Sequence, residues 1–218
     1  MKKHIVCLGD SNTHGYSASP DDCADGPLLR FNEEERWTCL LGKQLGEDYL
    51  VLEEGLSGRT TVFSDPLCEG LSALGYLFPC LTSHEPVSLL VVMLGTNDTK
   101  ERFHVSAECI SLGMERLVRA ARNIECWGGK QPNILIVAPP PIGEGVYQSA
   151  VSETMGRGCV EKSRELARYY AQVAERQHAH FLDAAPYAEF NTIDCMHLTR
   201  KGHRMLAEKL AEVVRGLA

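Results

Sequence analysis

Short apolar runs recur along the chain, and longer amphipathic segments lie between them. The short runs are rich in Val, Ile and Leu and show little polar alternation, which is typical of parallel strands that are covered on both faces. They predict five strands, at His4–Leu8, Tyr49–Leu52, Leu89–Leu94, Ile134–Ala138 and His180–Leu182.

The longer segments repeat apolar residues at helical spacing. They predict helices at Glu33–Leu45, Ser106–Arg122, Val160–Gln177 and Thr199–Leu217, with Thr199 as a suitable N-cap for the last. The alternation of strands and helices predicts a single α/β domain over residues 1–218. We expect a three-layer α/β/α sandwich with right-handed crossovers.

Two stretches of the sequence are loop-like. Ser17–Asn32 is rich in Asp, Pro and Gly, and Pro139–Gly158 begins with three consecutive prolines. Loops of this length in a compact domain are usually functional or packed against a partner.

Composition and charge narrow the class of protein. The 22 Lys and Arg residues and the 29 Asp and Glu residues give a net charge of −7, which argues against a general nucleic-acid binder. The nine cysteines are scattered and form no C-x-x-C pair, unlike a disulfide framework or a zinc site. The first residues do not resemble a signal peptide, and no apolar run reaches the length of a membrane span. We therefore expect a reduced, cytoplasmic, soluble protein.

Polar and glycine-rich segments follow four of the predicted strands. Because ligands bind at the carboxyl ends of parallel strands, we expect these segments to meet at one edge of the sheet. They are Gly9-Asp10-Ser11 after the first strand, Glu53–Thr60 after the second, Gly95-Thr96-Asn97-Asp98 after the third, and Asp194-Cys195-Met196-His197 before the last helix.

These segments carry the residue types of nucleophilic catalysis. A serine such as Ser11 becomes a nucleophile when a base takes its proton, and a histidine such as His197 can be that base. A carboxylate such as Asp194 can hold the other ring nitrogen and select the tautomer. The N–H groups of Ser11 and Gly58 and the side-chain amide of Asn97 can stabilise an oxyanion.

Motifs for other chemistries are missing from the sequence. It contains no G-x-S-x-G nucleophile elbow, no G-x-x-x-x-G-K-[ST] phosphate loop and no H-E-x-x-H zinc motif. We therefore expect neither a metal nor a cofactor.

The four segments, in this order, resemble the consensus blocks of the SGNH hydrolases, also called the GDSL esterase/lipase family. The similarity spans essentially the whole chain. Gly9-Asp10-Ser11 matches the nucleophile block, Gly58 the second block, Gly95–Asp98 the third and Asp194–His197 the Asp-x-x-His block.

Three stretches resemble a narrower subgroup, the bacterial arylesterase/acyltransferase type. These stretches are Glu53–Thr61, Met93–Lys100 and Pro139–Pro141. The subgroup is known for oligomers whose loops narrow the entrance to the active site. The resemblance therefore implies a homo-oligomer, with the two loop-like stretches as candidate contacts.

The resemblance also implies a fold and a set of roles. The fold is flavodoxin-like, with strand order 2-1-3-4-5. Ser11 is implied as the nucleophile, His197 as the general base and acid, and Asp194 as the group that orients His197. The N–H groups of Ser11 and Gly58, together with the Asn97 side chain, are implied as the oxyanion hole.

A few positions depart from the family pattern. Asn12 stands where the family usually has Leu after the nucleophile, and we consider this position to be outside the chemistry. His14 and Tyr16 stand where the mycobacterial member of the subgroup has tryptophans. We expect these two side chains, together with Asp10 and Pro140, to line the substrate pocket.

Three functions are compatible with these residues. We favour a metal-independent serine esterase that acts on small-molecule, short-chain acyl esters, with water, an alcohol or a peroxide resolving an acyl-enzyme. A carbohydrate O-acetyl esterase would use the same site with a different pocket. A catalytically inactive binding protein is the third hypothesis, and the complete set of reactive residues argues against it. We expect neither nucleic acid nor membrane as a partner.

Overall fold

A five-stranded parallel sheet forms the centre of the protein. The computed structural model describes residues 1–19, 21, 23 and 28–218. The strands are β1 (Lys3–Gly9), β2 (Tyr49–Gly55), β3 (Val87–Met93), β4 (Ile134–Ala138) and β5 (His180–Asp183). They pair in parallel in the order β2-β1-β3-β4-β5. The predicted strands and the order implied by the resemblance are both confirmed.

Helices cover both faces of this sheet. The helices of the described residues are α1 (Ser11–His14), α2 (Trp37–Leu45), α3 (Ala73–Ser83), α4 (Ala107–Arg122), α5 (Ser152–Met155), α6 (Cys159–Gln177) and α7 (Arg200–Leu217). One core joins α3, α4 and α6 to the sheet, and a second core joins α2 and α7 to the opposite face. Successive residues of β1 alternate between the two, with Val6 and Leu8 in the first core and Ile5 and Cys7 in the second. The predicted three-layer sandwich is therefore confirmed.

Side-chain caps define the start of two predicted helices. Thr199 Oγ1 accepts a hydrogen bond from the Gly202 N–H at 2.9 Å, as expected for the N-cap of α7. Ser106 Oγ accepts one from the Cys109 N–H at 3.1 Å, so α4 begins at Ala107. Among the described residues, no helix is long and apolar enough to cross a membrane.

The second helix begins later than predicted, at Trp37 instead of Glu33. The preceding residue, Arg36, has an extended backbone with φ −63° and ψ 136°. Its guanidinium donates to the Phe31 carbonyl at 2.8 Å and to the Glu53 carboxylate at 3.0 Å. These hydrogen bonds hold the approach to α2 in a turn, and residues 33–36, three Glu and one Arg, have no apolar position that would pack them as part of the helix.

The sequence pattern did not predict α3. Pro79 lies inside this helix, where its missing N–H and its ring would normally break the hydrogen-bond ladder. Pro79 and Gly75 both lie on the exposed face of α3. The opposite face packs into the first core through residues at helical spacing, namely Ala73, Leu77, Cys80 and Leu81.

The stretch Pro139–Gly158, predicted as a loop, has local order of its own. It contains a 3₁₀ segment at Glu144–Gln148 and the short helix α5. Its buried Val146 and Met155 join Met196 in a small third core. The other predicted loop is Ser17–Asn32, of which residues 20, 22 and 24–27 lie outside the described residues.

The strand register brings three of the predicted functional segments to one level. Gly9, the last residue of β1, is paired with Gly55 at the end of β2 and with Met93 at the end of β3. The loops that follow these strands therefore leave the same edge of the sheet, as parallel pairing predicts.

Candidate active site

Ser11 is the first residue of α1 and follows β1 almost directly. Asp10 caps this helix, since its Oδ1 accepts a hydrogen bond from the Asn12 N–H at 3.0 Å. The helix crosses the end of β2 so closely that a Cβ on Gly55 would lie 2.2 Å from the His14 nitrogen. A glycine is therefore required where α1 crosses the strand. Ser11 lies at the carboxyl edge of the sheet and is 6% exposed.

A continuous chain of hydrogen bonds links Ser11, His197 and Asp194. His197 Nε2 lies 2.9 Å from Ser11 Oγ, and His197 Nδ1 lies 2.7 Å from Asp194 Oδ2. The ring of Tyr16 lies against the imidazole, with 4.5 Å between the ring centroids. With Nδ1–H donated to the carboxylate, Nε2 can accept the serine proton, which is the arrangement of a base-activated nucleophile.

Asn191 organises the loop that carries Asp194 and His197. Its Oδ1 accepts the Asp194 N–H at 2.9 Å, and its Nδ2 donates to Asp194 Oδ1 at 3.0 Å and to the His197 carbonyl at 2.9 Å. Burial by itself would raise the pKa of Asp194. The hydrogen bond from His197, with those from the Met196 N–H and Asn191, instead holds this pKa below its usual value. Asp194 therefore stays ionised beside the imidazole.

The three residues with predicted oxyanion donors, Ser11, Gly58 and Asn97, all line one cavity. Gly58 has a left-handed backbone, with φ +87°, and lines the same cavity as Ser11. In the described part of the chain, no residue accepts a hydrogen bond from the backbone N–H of Ser11 or Gly58. The Asn97 amide donates one N–H to the Arg59 carbonyl at 3.1 Å, which leaves its second N–H for another acceptor. This set of donors can stabilise negative charge on a substrate oxygen.

Buried polar contacts fix the loops that carry these donors. Asp98 accepts hydrogen bonds from the Thr61 N–H at 2.9 Å and from the Thr61 hydroxyl at 2.5 Å, which ties the loop after β3 to the loop after β2. Burial raises the pKa of Asp98 to about 6. Arg59 Nη1 donates to the Gly9 carbonyl at 3.1 Å and to the Glu54 carbonyl, which ties the loop after β2 to the end of β1.

A small cavity of about 180 Å³ opens beside Ser11. An apolar cavity of about 150 Å³ holds a benzene molecule, so the volume beside Ser11 suits a group of that scale. Its wall combines the reactive residues with side chains from the segment around α5. The lining residues are Ser11, Tyr16, Ser57, Gly58, Asn97, Lys100, Val151, Thr154, Met155, Met196 and His197.

Of the four residues predicted to line the substrate pocket, only Tyr16 lies in the wall of this cavity. Asp10, His14 and Pro140 do not line this cavity, and their place in the substrate pocket stays a prediction. Asp10 is 2% exposed and caps its own helix, and its burial raises its pKa to about 6. His14 ends α1 beside Gly55, and Pro140 is buried after β4.

Sequence reasoning missed several residues of the site. Asn191 lies in a loop without a recognisable motif, and Asn12 was considered to be outside the chemistry. Lys100 carries a cationic side chain to the cavity, and Val151 and Thr154 reach it from the stretch predicted as a loop. Of these residues, Lys100 could have been found from the sequence, because it follows Asn97 by three residues, just after the third segment.

No metal site accompanies this arrangement in the part of the chain that the structure describes. Within residues 1–19, 21, 23 and 28–218, no three His, Cys, Asp or Glu side chains are grouped so that they could hold a metal ion. The groups that surround Ser11 are suited to proton transfer and to hydrogen bonding of an oxyanion.

This chain is similar to known proteins in both fold and sequence. The model of the GDSL-like lipase/acylhydrolase family matches residues 7–205. The native aryl esterase of M. smegmatis is 37% identical, with a TM-score of 0.89 over 99% of this chain and 100% of that chain. A carbohydrate acetylesterase from Sinorhizobium meliloti is 35% identical, with a TM-score of 0.89 over 99% of each chain. A comparison with curated proteins finds no match.

These similarities confirm the resemblance to the SGNH hydrolases and set aside the hypothesis of an inactive binding protein. The matched region extends from β1 into α7 and therefore includes every segment that contributes to the site. The chain belongs to the GDSL-like lipase/acylhydrolase family and is a carboxylic ester hydrolase.

Proposed function

We propose that this ester hydrolase acts on short-chain acyl esters of aryl or alkyl alcohols through an acyl-enzyme on Ser11. The observation that carries the proposal is the hydrogen-bonded chain from Ser11 through His197 to Asp194, beside a cavity of about 180 Å³. The size of this cavity limits the length of the acyl group. The chemistry of the hydrogen-bonded Ser11, His197 and Asp194 does not depend on that length.

The first half of the proposed reaction acylates Ser11. His197 Nε2 takes the hydroxyl proton while Ser11 Oγ attacks the ester carbonyl carbon. The carbonyl oxygen becomes an oxyanion, which the N–H groups of Ser11 and Gly58 and the Asn97 amide stabilise. The intermediate collapses as the C–O bond to the alcohol breaks, and protonated His197 donates its proton to the departing alcohol oxygen. Asp194 stabilises the imidazolium throughout.

The second half of the reaction releases the acyl group. His197 removes a proton from water, whose oxygen attacks the acyl carbon, and the collapse of the second intermediate returns that proton to Ser11 Oγ. An alcohol or a peroxide in place of water would give a new ester or a peracid by the same steps. Acyl transfer is therefore part of the proposal, and the competition between acceptors decides its extent.

A series of p-nitrophenyl esters tests the proposed acyl preference. We expect kcat/KM to be highest from acetate to butyrate and to fall at least about tenfold by octanoate, because each methylene that does not fit costs roughly 1–3 kcal/mol. Release of p-nitrophenol reports the rate, and addition of an alcohol acceptor with detection of the new ester measures acyl transfer. A kcat/KM that rises steadily to octanoate would contradict the proposed pocket.

Asn97→Ala tests the proposed oxyanion hole. Removal of one oxyanion donor costs about 3 kcal/mol in the barrier, so kcat is expected to fall roughly 10²- to 10³-fold with little change in KM. Steady-state kinetics on p-nitrophenyl acetate measures both constants. Asn123→Ala is the control, because Asn123 follows α4 and is absent from the cavity wall. An unchanged kcat in Asn97→Ala would remove this residue from the mechanism.

A carbohydrate O-acetyl esterase is the second candidate function. Two observations favour it: the Sinorhizobium meliloti carbohydrate acetylesterase is 35% identical to this chain, and the cavity is large enough for an acetyl group. A kcat/KM on acetylated xylose well above that on phenyl acetate would favour the deacetylase, and the reverse order would favour the aryl or alkyl esterase. The homo-oligomer implied by the resemblance stays a prediction.

A further inference from the structure

Asn12 neighbours the nucleophile in sequence, yet its side chain contacts the loop that carries the base. Asn12 Nδ2 donates to the Met196 carbonyl at 3.0 Å, and Asn12 Oδ1 accepts the Leu198 N–H at 2.9 Å. These two groups belong to the peptide bonds immediately before and after His197. One side chain therefore holds the backbone on both sides of the base.

Asn12 is itself held by rigid parts of the fold. Its N–H donates to Asp10 Oδ1 at 3.0 Å, and its carbonyl accepts the indole N–H of Trp37 at 3.1 Å. Trp37 is fully buried in the second core, and Asn12 is only 2% exposed. The contact to the His197 loop thus starts from a fixed position beside Ser11.

The partners of Asn12 are also buried. Met196 is 3% exposed and Leu198 is 2% exposed, so water does not easily replace the amide of Asn12. A buried carbonyl or N–H that loses its partner is destabilising. On the other side, Asn191 holds the His197 carbonyl through its backbone N–H at 2.9 Å and its side chain at 2.9 Å. Two asparagines therefore hold the short segment that contains the base.

We propose that Asn12 is a positioning residue for His197, which keeps Nε2 within hydrogen-bonding distance of Ser11 Oγ during both proton transfers. The inference rests on the proposed roles of Ser11 and His197. A leucine at this position would have a similar size but neither donor nor acceptor, so it could not form these two hydrogen bonds.

Loss of these hydrogen bonds is expected to slow the chemical step. His197 has to take a proton from Ser11 and then give one to the leaving oxygen, and a displacement of about 1 Å costs roughly 10²-fold in rate. Asn12 does not lie in the cavity wall. Its loss is therefore expected to change kcat far more than KM.

The test compares Asn12→Leu and Asn12→Ser with a matched control, Asn133→Leu. Asn133 also joins two distant segments, since its Nδ2 donates to the Ser88 carbonyl at 3.0 Å and to the Leu217 carbonyl at 2.8 Å. It precedes β4, at the opposite edge of the sheet from Ser11. The serine variant keeps a small hydroxyl group at the position and is the second variant to measure if Asn12→Leu does not fold.

Steady-state kinetics, thermal unfolding and the rate of fluorophosphonate labelling are measured on each folded variant. We expect both Asn12 variants to lower kcat and the labelling rate by about 10- to 100-fold with a KM within about threefold of wild type. Asn133→Leu is expected to lower thermal stability with kcat unchanged. A kcat in Asn12→Ser or Asn12→Leu equal to that of wild type, or a loss no larger than in Asn133→Leu, would overturn the inference.

The two proposals fail in distinguishable ways. If Ser11→Ala is inactive while the Asn12 variants keep their kcat, the esterase mechanism stands and only the positioning role is wrong. If Ser11→Ala retains turnover, the proposed function itself is wrong.

Discussion

Ser11→Ala is expected to lower kcat by about 10⁶-fold and to abolish covalent labelling by a fluorophosphonate. The methyl group cannot attack a carbonyl carbon, so His197 and Asp194 are left with no nucleophile to activate. A residual rate above that in water would come from the oxyanion donors and from substrate binding alone. The rate of p-nitrophenol release from p-nitrophenyl acetate measures the loss of turnover. Mass spectrometry of the intact protein after incubation with the fluorophosphonate measures the loss of labelling.

Ser111→Ala is the matched control for this substitution. Ser111 is buried, as Ser11 is, but it lies in α4 and donates to the Glu108 carbonyl at 2.7 Å. This variant should retain both turnover and labelling. Labelling that persists in Ser11→Ala would show that another side chain is the nucleophile.

Asp194→Asn is expected to lower kcat by about 10⁴-fold while the fold is retained. An amide nitrogen at the position of Oδ2 would donate to His197 Nδ1, which selects the tautomer that carries its proton on Nε2. That nitrogen could then no longer accept the proton of Ser11, which lies 2.9 Å away. Steady-state kinetics measures the loss, and circular dichroism checks the fold.

Asp183→Asn provides the comparison. Asp183 also accepts a hydrogen bond from a nearby backbone N–H, that of Ala185 at 3.0 Å, but it ends β5 and lies outside the cavity wall. Its substitution should leave kcat unchanged. If Asp194→Asn also left kcat unchanged, the carboxylate would have no role in orienting His197.

Most of the architecture followed from short-range patterns. The three central strands, β1, β3 and β4, are buried on both faces and therefore read as continuous apolar runs, which makes their positions evident without any partner. The outer strands β2 and β5 are partly exposed, and only their short apolar runs indicated them. The start of α7 was evident for a similar reason, since the Thr199 cap acts within one turn. By contrast, α3 was missed because its stability comes from packing of one face, which offsets Pro79 on the other.

The start of α2 shows what apolar spacing does not determine. The apolar positions at helical intervals begin at Trp37, the first residue of α2, and Arg36 before it is held by hydrogen bonds to Glu53 on β2 and to the Phe31 carbonyl. Periodicity describes which residues share a face and carries no information about such partners.

For the site, the sequence by itself determined the reactive residue types and the strand end that each follows. Parallel pairing then required Ser11, Gly58 and Asn97 to lie at one edge, because the carboxyl ends of parallel strands coincide. Only the tertiary structure decided the 2.9 Å contact of Ser11 with His197 and the contribution of α5 to the cavity. It also decided the two hydrogen bonds that Asn12 makes to the peptide groups before and after His197. These features join side chains far apart in sequence, and their distances depend on how whole elements pack, a quantity that no local pattern of residues encodes.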